Sequence, residues 1–203
     1  MLSKQEIEQF AQQIFKFHTK QAPGLYIGIL MVDYAREALG TVKGKMNAIT
    51  ETQACLSDVV QVMTGCTMGN RYLRVMKDIG RFALVLFDRE DGRGIRVSVD
   101  LSKINPTEAP EMYKFFHRTR DPKVNLGGPE REASGKKIIQ EFEKLGRELF
   151  ILQKVLILEH GKPPMLPAKI CPTCRETFLQ RDETHAECDF CSGTHKYYDQ
   201  CNF

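Results

Sequence analysis

Apolar residues recur at helical spacing over the first forty positions of the chain. Residues 5–18 (QEIEQFAQQIFKFH) carry one apolar stripe, which predicts a helix and comprises Ile7, Phe10, Ala11, Ile14, Phe17 and His18. QAPG then breaks the pattern. Pro23 suits the first turn of a second helix over about 24–39, because that turn needs no N–H partner, and Gly40 suits its C-terminal cap.

The next part of the chain alternates short apolar runs with turn residues. Residues 44–50 could form a short strand, and apolar spacing predicts a third helix over 53–65. The clearest strands are RFALVLF (81–87) and GIRVSVD (94–100). Because the intervening DREDGRG is rich in turn residues, the two strands are predicted to form a hairpin.

Periodicity is weaker after residue 100. Prolines and glycines interrupt 102–135, where a short helix near 109–118 is expected. An amphipathic segment follows over about 131–149. The pattern leaves open whether 150–158 (FILQKVLIL) extends this segment or forms a last strand.

A linker divides the chain into two parts of different composition. HGKPPMLP (160–167) contains glycine and prolines and has no apolar period. We therefore predict a core domain over 1–160 and a small second domain over 161–203. The whole chain of 203 residues, with 42% hydrophobic and 27% charged residues, has the composition of a globular protein.

Charge and hydropathy restrict the function classes. The net charge of +3 falls short of the concentrated basic patch typical of nucleic-acid binding. One group of cations is interpreted as a solvated helix face: Arg71, Arg74, Lys77 and Arg81. The longest apolar runs, such as LYIGILMV (25–32), are too short to span a bilayer. The segment MLSKQEIEQF has no signal-peptide core, so we expect a cytoplasmic protein with reduced thiols.

Cysteine spacing gives the strongest chemical signal. CPTC (171–174) and CDFC (188–191) form a C-x2-C-x13-C-x2-C pattern, in which the ligands are Cys171, Cys174, Cys188 and Cys191. Four thiolates in two chelating pairs match the sulfur cage that zinc favours, and rubredoxin-type iron is the rival metal. With all four positions filled the site is structural, and the metal would stabilise a segment too small for a large core.

Further donors lie close to this pattern. One of them could replace or supplement a cysteine, with Asp189 the first alternative in a set that also contains Asp182, His185 and His195. Cys201 lies outside the pattern and is predicted to be free. Lys196, Tyr197 and Tyr198 offer a weak nucleic-acid option, but packing of the tyrosines against the finger is the favoured interpretation.

A second set of donors lies in the first third of the chain: His18, Cys55 and Cys66. Each alone is most simply a packed core residue. Cys55 begins a predicted helix, where the helix dipole lowers a thiol pKa and favours the thiolate, and Asp58 is near the same turn. Histidine with thiolate makes half of a zinc site. The spacing leaves open whether the three side chains meet.

Three stretches resemble the FmdE-like family of formylmethanofuran dehydrogenase proteins. FHTKQAPGLYIGILMVDYARE resembles its signature, which reads close to FHGHxCPGLxxGxR, ETQACLSDVVQVMTGCTMGN resembles its second motif, and KDIGRFALVLFDREDGRGIRVSV resembles its hairpin. The CxxC pairs resemble the zinc finger that many members carry. Lys20 and Ala22 stand where the pattern has a histidine and a cysteine; the matching residues are His18, Cys55, Asp58, Cys66 and Thr67.

The resemblance implies an α+β fold, in which a mixed β-sheet is flanked by helices in a somewhat thioredoxin-like way, followed by a treble-clef-type zinc finger. It implies zinc, a homodimer, and association with a molybdenum or tungsten oxidoreductase. It also implies a core site of His18 and Cys55, with Cys66 or water as a further ligand. Lys20 would either favour a thiolate or an anionic ligand, or replace a ligand and abolish the site.

Three functions remain open on this basis. The first is a metal-binding accessory or redox-linked protein with a His/Cys core site and a structural finger. The second is a zinc-dependent hydrolase- or lyase-like enzyme, in which Asp58 or Lys20 would assist proton transfer beside metal-bound water. The third, a nucleic-acid- or protein-binding regulatory module, ranks last because the net charge is small. DGRG and LGG lack the glycine spacing of a dinucleotide or phosphate loop.

Overall fold

The structure is a computed structural model that describes residues 1–199, so Cys201 lies outside the described residues. The chain divides into two compact units, Met1–Gly161 and Lys162–Phe203. We describe each unit by itself. In the part of the chain that the structure describes, no helix has the length and apolar character needed to cross a membrane.

Two helices open the first unit and carry the predicted apolar stripes. Helix α1 (Lys4–His18) begins with a capping box in which Ser3 and Glu6 each accept from the other's backbone N–H. Helix α2 (Pro23–Leu39) begins at a proline and has no side-chain cap at Ala22. α2 is buried along most of its length, because it packs between the sheet and the other helices.

Five strands form one mixed sheet in the order β2-β1-β3-β4-β5. The parallel pair is β1–β2 and the other pairs are antiparallel. The predicted hairpin is confirmed as β3–β4, and the ambiguous segment after residue 149 is a strand. The bounds are β1 Met46–Thr50, β2 Leu73–Val75, β3 Ala83–Asp88, β4 Arg93–Val99 and β5 Phe150–Leu156.

The remaining helices of this unit are α3 Leu56–Thr64, α4 Pro110–His117, α5 Pro122–Asn125 and α6 Gly128–Leu145, with 3-10 turns at Leu101–Lys103 and Gly146–Leu149. Helix α3 begins directly after Cys55. Helix α6 packs against α2, α4 and α5. This arrangement confirms the α+β class with a helix-flanked mixed sheet.

The main core lies between the helices and one face of the sheet. Alternate strand residues such as Ala48, Leu86 and Val97 are fully buried against α2 and α3 residues such as Ile27 and Val59. Because strand side chains alternate between faces, the intervening residues lie on the other face. That second face carries both Phe87 and a group of charged residues.

The interpretation of Arg71, Arg74, Lys77 and Arg81 as a helix face is wrong, since 65–82 contains no helix. Arg74 lies in β2, where its guanidinium sits over the ring of Phe87 and donates to the carbonyl of Glu159. β2 is only three residues long, and its parallel pairing with β1 is a long-range contact that the local pattern does not encode.

Glu51 is the buried anion of the second sheet face. Its side chain is 8% exposed and accepts two bonds from Arg96, at 2.7 and 2.9 Å, and one from Arg81 at 2.7 Å. The hydrogen bonds from Arg96 lower the pKa of Glu51 despite the opposing effect of burial. A bidentate guanidinium–carboxylate pair of this kind fixes geometry as well as charge.

We predict that Glu51→Gln destabilises the protein by about 3 kcal/mol, because it leaves Arg96 half-buried without its counter-charge. The native contribution is present above the ordinary carboxyl pKa of 4.5 and is lost as the pH falls through the lowered pKa of Glu51. Urea unfolding at pH 7 and at decreasing pH measures both effects. Arg93→Gln, which breaks an exposed pair with Asp91, should cost at most about 1 kcal/mol; an equal loss in the two variants would contradict the prediction.

The second unit is small and contains one two-stranded antiparallel sheet, β6 (Ala168–Ile170) and β7 (Thr177–Leu179). The turn between its strands holds the first CxxC pair. Tyr198 stacks on Phe190 with ring centroids 4.2 Å apart, and Tyr197 meets the same ring edge-on. The tyrosines therefore pack within the finger, as the sequence interpretation favoured.

Candidate functional site

Four cysteine side chains converge in the second unit. The Sγ atoms of Cys171, Cys174, Cys188 and Cys191 all lie within 4.8 Å of one another, and those of Cys174 and Cys188 are 3.9 Å apart. A tetrahedral zinc site with Zn–S bonds of about 2.3 Å sets the sulfur–sulfur separation at about 3.8 Å. The cluster therefore fits a four-coordinate, thiolate-bound cation.

Backbone N–H groups in this cluster stabilise the thiolate form of Cys171. Burial acts to raise the pKa of the Cys171 thiol, but hydrogen bonds from the backbone N–H groups of Cys174 and Cys188 outweigh it and lower the pKa to about 6. The pKa of Cys191 is raised, first by its hydrogen bond with the Cys188 thiol. Adjacent thiols resist simultaneous ionisation, and a bound cation removes that conflict.

Two of the alternative finger ligands, Asp189 and His185, are engaged elsewhere. Asp189 accepts from Arg181 and lies 3.1 Å from His185 Nε2. The His185 ring also packs edge-on against Phe178. Neither side chain belongs to the four-sulfur group. These contacts brace the loop that presents the second CxxC pair.

In the first unit, α1 and α3 are joined by a contact between His18 and Asp58. His18 Nδ1 and Asp58 Oδ2 are 2.6 Å apart, although the residues are 40 positions apart in sequence. His18 ends α1, and Asp58 lies in the first turn of α3. A carboxylate on Nδ1 fixes the imidazole tautomer and leaves Nε2 available as a metal ligand or a base.

Cys55 lies at the start of α3 in a strained backbone conformation, with φ 48° and ψ −60°. Non-glycine residues rarely adopt a positive φ, and such strain concentrates at functional sites. The N-terminal turn of α2 closes on the same thiol. A Cβ added at Gly24 would lie 3.3 Å from Cys55 Sγ and 3.4 Å from the Phe82 ring, so the glycine permits this close approach.

The electrostatics of Cys55 differ from the sequence expectation. Burial raises the pKa of its thiol, the charge of Asp58 raises it further, and the charge of Arg131 lowers it. The thiolate expected from the helix start therefore stays a prediction, since both burial and the charge of Asp58 favour the protonated thiol in the metal-free chain. The cation whose charge reaches Cys55 is Arg131, in the first turn of α6; Arg131 and Lys20 are both exposed.

Cys66 is buried, and its thiol donates to the backbone carbonyl of Met46 at 3.2 Å. Burial raises the pKa of this thiol as well. Within residues 1–199, the finger cysteines form the one group of three or more histidine, cysteine or acidic side chains close enough to share a cation. His18, Cys55 and Cys66 therefore do not form a three-ligand group, and Cys66 has the contacts of a packing residue.

Sequence reasoning missed the surroundings of Cys55. Arg131, Phe82 and Phe116 lie in segments that carry no metal or catalytic motif. Phe82 contacts the Cys55–Gly24 junction, and Phe116 meets the Phe82 ring at 5.6 Å. The one weak sequence signal for this site was the cluster of aromatic residues in MYKFFHRTR (112–120). Such a cluster is as typical of an ordinary core helix as of a functional site.

The sequence matches a described protein family over most of the first unit. A family model described as "FmdE, Molybdenum formylmethanofuran dehydrogenase operon" matches residues 17–154. The chain belongs to the FmdE family. The matched range contains His18, Cys55, Asp58 and Arg131 but ends before the finger cysteines.

A solved structure of a tungsten formylmethanofuran dehydrogenase FmdE-like protein from Syntrophus aciditrophicus is similar over nearly the whole chain. It is 31% identical, 95% of each chain is covered, and the TM-score is 0.76. A protein from Archaeoglobus fulgidus, described as "Probable S-adenosyl-L-methionine-binding protein", is 29% identical over 194 residues, which cover 89% of this chain and 51% of that protein. The chain thus spans about half the length of this curated relative.

We predict that Cys55 reacts slowly with iodoacetamide at pH 7.5 in metal-free protein, because its raised pKa keeps the thiol protonated. Asp58→Asn should accelerate the reaction severalfold, since it removes the negative charge that raises this pKa. Mass-spectrometric peptide mapping measures the rate at Cys55 alone. Glu90→Gln, at an exposed turn, serves as the matched control; equal rates in the two variants would contradict the assignment.

Proposed function

We propose that the protein is a zinc-binding accessory protein of a redox enzyme system, with a structural zinc in the finger and a second cation in the core. The finger ion is held by Cys171, Cys174, Cys188 and Cys191. The core ion would be held by His18 Nε2 and Cys55 Sγ, with water or a bound anion completing its coordination. Zinc accepts nitrogen and sulfur donors in this combination.

The contact between His18 and Asp58 is the observation that supports the core site most. A histidine that packs as an ordinary core residue needs no carboxylate on Nδ1. Here Asp58 holds the ring at 2.6 Å, and both side chains remain partly exposed, at 23% and 30%. Carboxylate–histidine pairs of this type orient ligands in metal sites and increase their basicity.

Deprotonation of Cys55 is the step that would accompany metal binding. The raised pKa of its thiol means that the free chain keeps the proton. A cation bound by the sulfur would displace this proton, so metal uptake at the core would release acid and strengthen with pH. The charge of Arg131 and the helix dipole of α3 both favour the resulting thiolate.

The redox-linked role rests on the family. The family description refers to a formylmethanofuran dehydrogenase operon, and the solved relative carries that enzyme's name. We propose that this chain associates with a molybdenum or tungsten oxidoreductase of that class in the cytoplasm. A hydrolase- or lyase-like activity is the second candidate, since a two-ligand zinc leaves positions for water and the His18–Asp58 pair resembles a general base with its orienting carboxylate.

We predict that metal analysis of the purified full chain finds two zinc ions. His18→Ala and Cys55→Ala should each leave one, because each removes a core ligand. Cys174→Ser should also leave one by disabling the finger, and Asp58→Asn should weaken the core ion by about 10–100-fold. Plasma mass spectrometry identifies and counts the metals in every variant.

His117→Ala is the matched control for this experiment, because His117 is an exposed histidine outside the site; it should retain two ions. Circular dichroism checks that each variant is folded. A folded wild-type chain with a single ion, retained by His18→Ala and lost in Cys174→Ser, would refute the core metal site. Iron in place of zinc would refute the proposed metal.

We also propose a homodimer as the working form of the protein. Large apolar side chains are exposed on the first unit, notably Leu126 at 88% and Leu156 at 65%, and exposed apolar surface often marks an interaction site. Light scattering after size-exclusion chromatography should give twice the 23.2 kDa chain mass. Leu126→Asp and Leu156→Asp would test the two positions, with the exposed Glu90→Gln as control; a wild-type mass of one chain would contradict the dimer.

A further inference from the structure

Strand β5 is an unprotected edge of the five-stranded sheet. It pairs with β4 on one side, and in the described residues no strand pairs with its other side. Its residues are matched one to one with those of β4, so the strand has no bulge. It contains no proline, and its single charged residue is Lys154. Bulges, prolines and charges normally prevent an edge strand from pairing with another chain, and of these β5 has only the one lysine.

The backbone of every second residue of β5 is free to pair outward. Ile157 N–H donates to the carbonyl of Gly92. Because bonded and non-bonded positions alternate along an antiparallel pair, the odd-numbered residues of β5 bond to β4 and the even-numbered residues direct their N–H and C=O groups away from the sheet. Within residues 1–199, no turn or loop bonds the backbone of Leu152, Lys154 or Leu156.

The other edge of the sheet is protected in the usual way. β2 is only three residues long, and its central residue, Arg74, is charged. The Arg74 side chain folds over the ring of Phe87 and donates to the carbonyl of Glu159. A short strand with a charged residue disfavours the addition of a further strand. β5 is therefore the edge at which an added strand fits better.

The helices leave the last part of β5 uncovered. A cavity of about 300 Å³ lies between the C-terminal end of α2 and the strands β4 and β5, and its lining includes Leu39, Ile95 and Lys154. Large apolar side chains are exposed on both faces of β5, with Leu156 at 65% on the helix face and Ile151 at 39% on the second face. A strand added to β5 would cover apolar surface on both faces of the sheet.

We infer that β5 pairs with β5 of a second copy of the chain, antiparallel and about a two-fold axis at Gln153, so that the two five-stranded sheets become continuous. The inference deepens the homodimer of the proposed function and rests on it, since it names the surface through which the two copies meet. A two-fold interface uses the same surface twice, so that surface must complement itself.

The side chains of β5 meet this requirement. In the antiparallel register centred on Gln153, Phe150 lies opposite Leu156 of the second copy, and Ile151 lies opposite Val155. Apolar side chains therefore cover one another on both faces of the joined sheet, and directly opposed pairs of this kind stabilise strand pairing.

The one charge of β5 selects this register over its neighbours. Centred on Gln153, the pairing places Lys154 opposite Leu152, where the aliphatic stem of the lysine can lie along the leucine. Moving the centre to Lys154 would set two lysines directly opposite each other, which is unfavourable. Moving it to Leu152 would leave Leu156 beyond the first residue of the other strand. The register centred on Gln153 avoids both costs.

Disulfide formation in the full chain tests the register. The Cα atoms of a non-bonded antiparallel pair are about 4.5 Å apart, which a disulfide can span, so Gln153→Cys should link to its own copy when oxidised with diamide. Ile151→Cys alone should not, because its two copies would lie about 13 Å apart along the strands. A mixture of Ile151→Cys and Val155→Cys should link. Mass-spectrometric peptide mapping identifies these links separately from those of the native cysteines.

A charge placed on the edge tests the surface without added cysteines. Ile151→Lys should raise the dissociation constant of the dimer at least tenfold, because it puts two further cations into the joined sheet. Met76→Lys makes the same kind of change at an exposed apolar residue outside β5 and should leave the dimer unchanged. Light scattering over a dilution series measures both constants, and circular dichroism checks that the variants are folded.

The outcomes separate this inference from the rest of the proposed function. A wild-type mass of one chain would overturn both the homodimer and the β5 interface. A dimer that lacks the Gln153→Cys link, or that Ile151→Lys leaves intact, would overturn the β5 interface alone. A chain that forms the link but binds a single metal ion would refute the core metal site and support the β5 interface.

Discussion

The hydrogen bond between His18 and Asp58 determines how the core site is built. It ties the last residue of α1 to the first turn of α3 across 40 positions of sequence. Because α3 begins directly after Cys55, the same contact sets the histidine and the thiol at one end of the helical layer. The buried side of α2 completes the site, since a Cβ at position 24 would lie only 3.3 Å from Cys55 Sγ, so glycine eases the close approach of its first turn. The ends of α1, α2 and α3 therefore meet at the His18–Asp58 pair and at Gly24.

Charge around this junction is divided between two sides. Burial raises the pKa of Cys55 and the negative charge of Asp58, which also holds the imidazole, raises it further, whereas the charge of Arg131 lowers it. Glu51 on the opposite sheet face shows the contrasting case, in which a buried carboxylate is fully compensated by its own arginines. At Glu51 the arginines bond the carboxylate directly. Near Cys55, by contrast, Arg131 makes no salt bridge within residues 1–199.

The sequence predicted the helices and strands whose periodicity is strong, and it predicted the finger from spacing alone. α2 ends at Gly40 as expected, and the β3–β4 hairpin follows from its turn residues. β2 could not be predicted, because its three residues become a strand only by pairing with β1. The interpretation of the region from Arg71 to Arg81 as a helix face is wrong for a related reason. Arg74 and Arg81 bond groups that are distant in sequence, Glu159 and Glu51, and the spacing of cations alone cannot distinguish such long-range contacts from a solvated helix face. At the core site, Cys66 matched a motif but its thiol bonds the β1 carbonyl of Met46, while Arg131 matched none although its charge reaches the Cys55 thiol.

The two candidate metal sites differ in how folding prepares them. All four finger cysteines come from a unit whose described residues, 162–199, form one two-stranded sheet, so the ligands have little other structure to hold them and metal binding there would be coupled to folding. The core donors lie on helices that pack against a five-stranded sheet, and their positions are fixed by a hydrophobic core that needs no ion. A site of two ligands, as proposed for the core, would bind less tightly than a four-thiolate cage but would keep open coordination positions. On the proposed function, binding in the finger is expected to be tight and binding in the core to be exchangeable, because the finger ligands would make their unit fold whereas the core donors are partly exposed on a unit that folds without an ion.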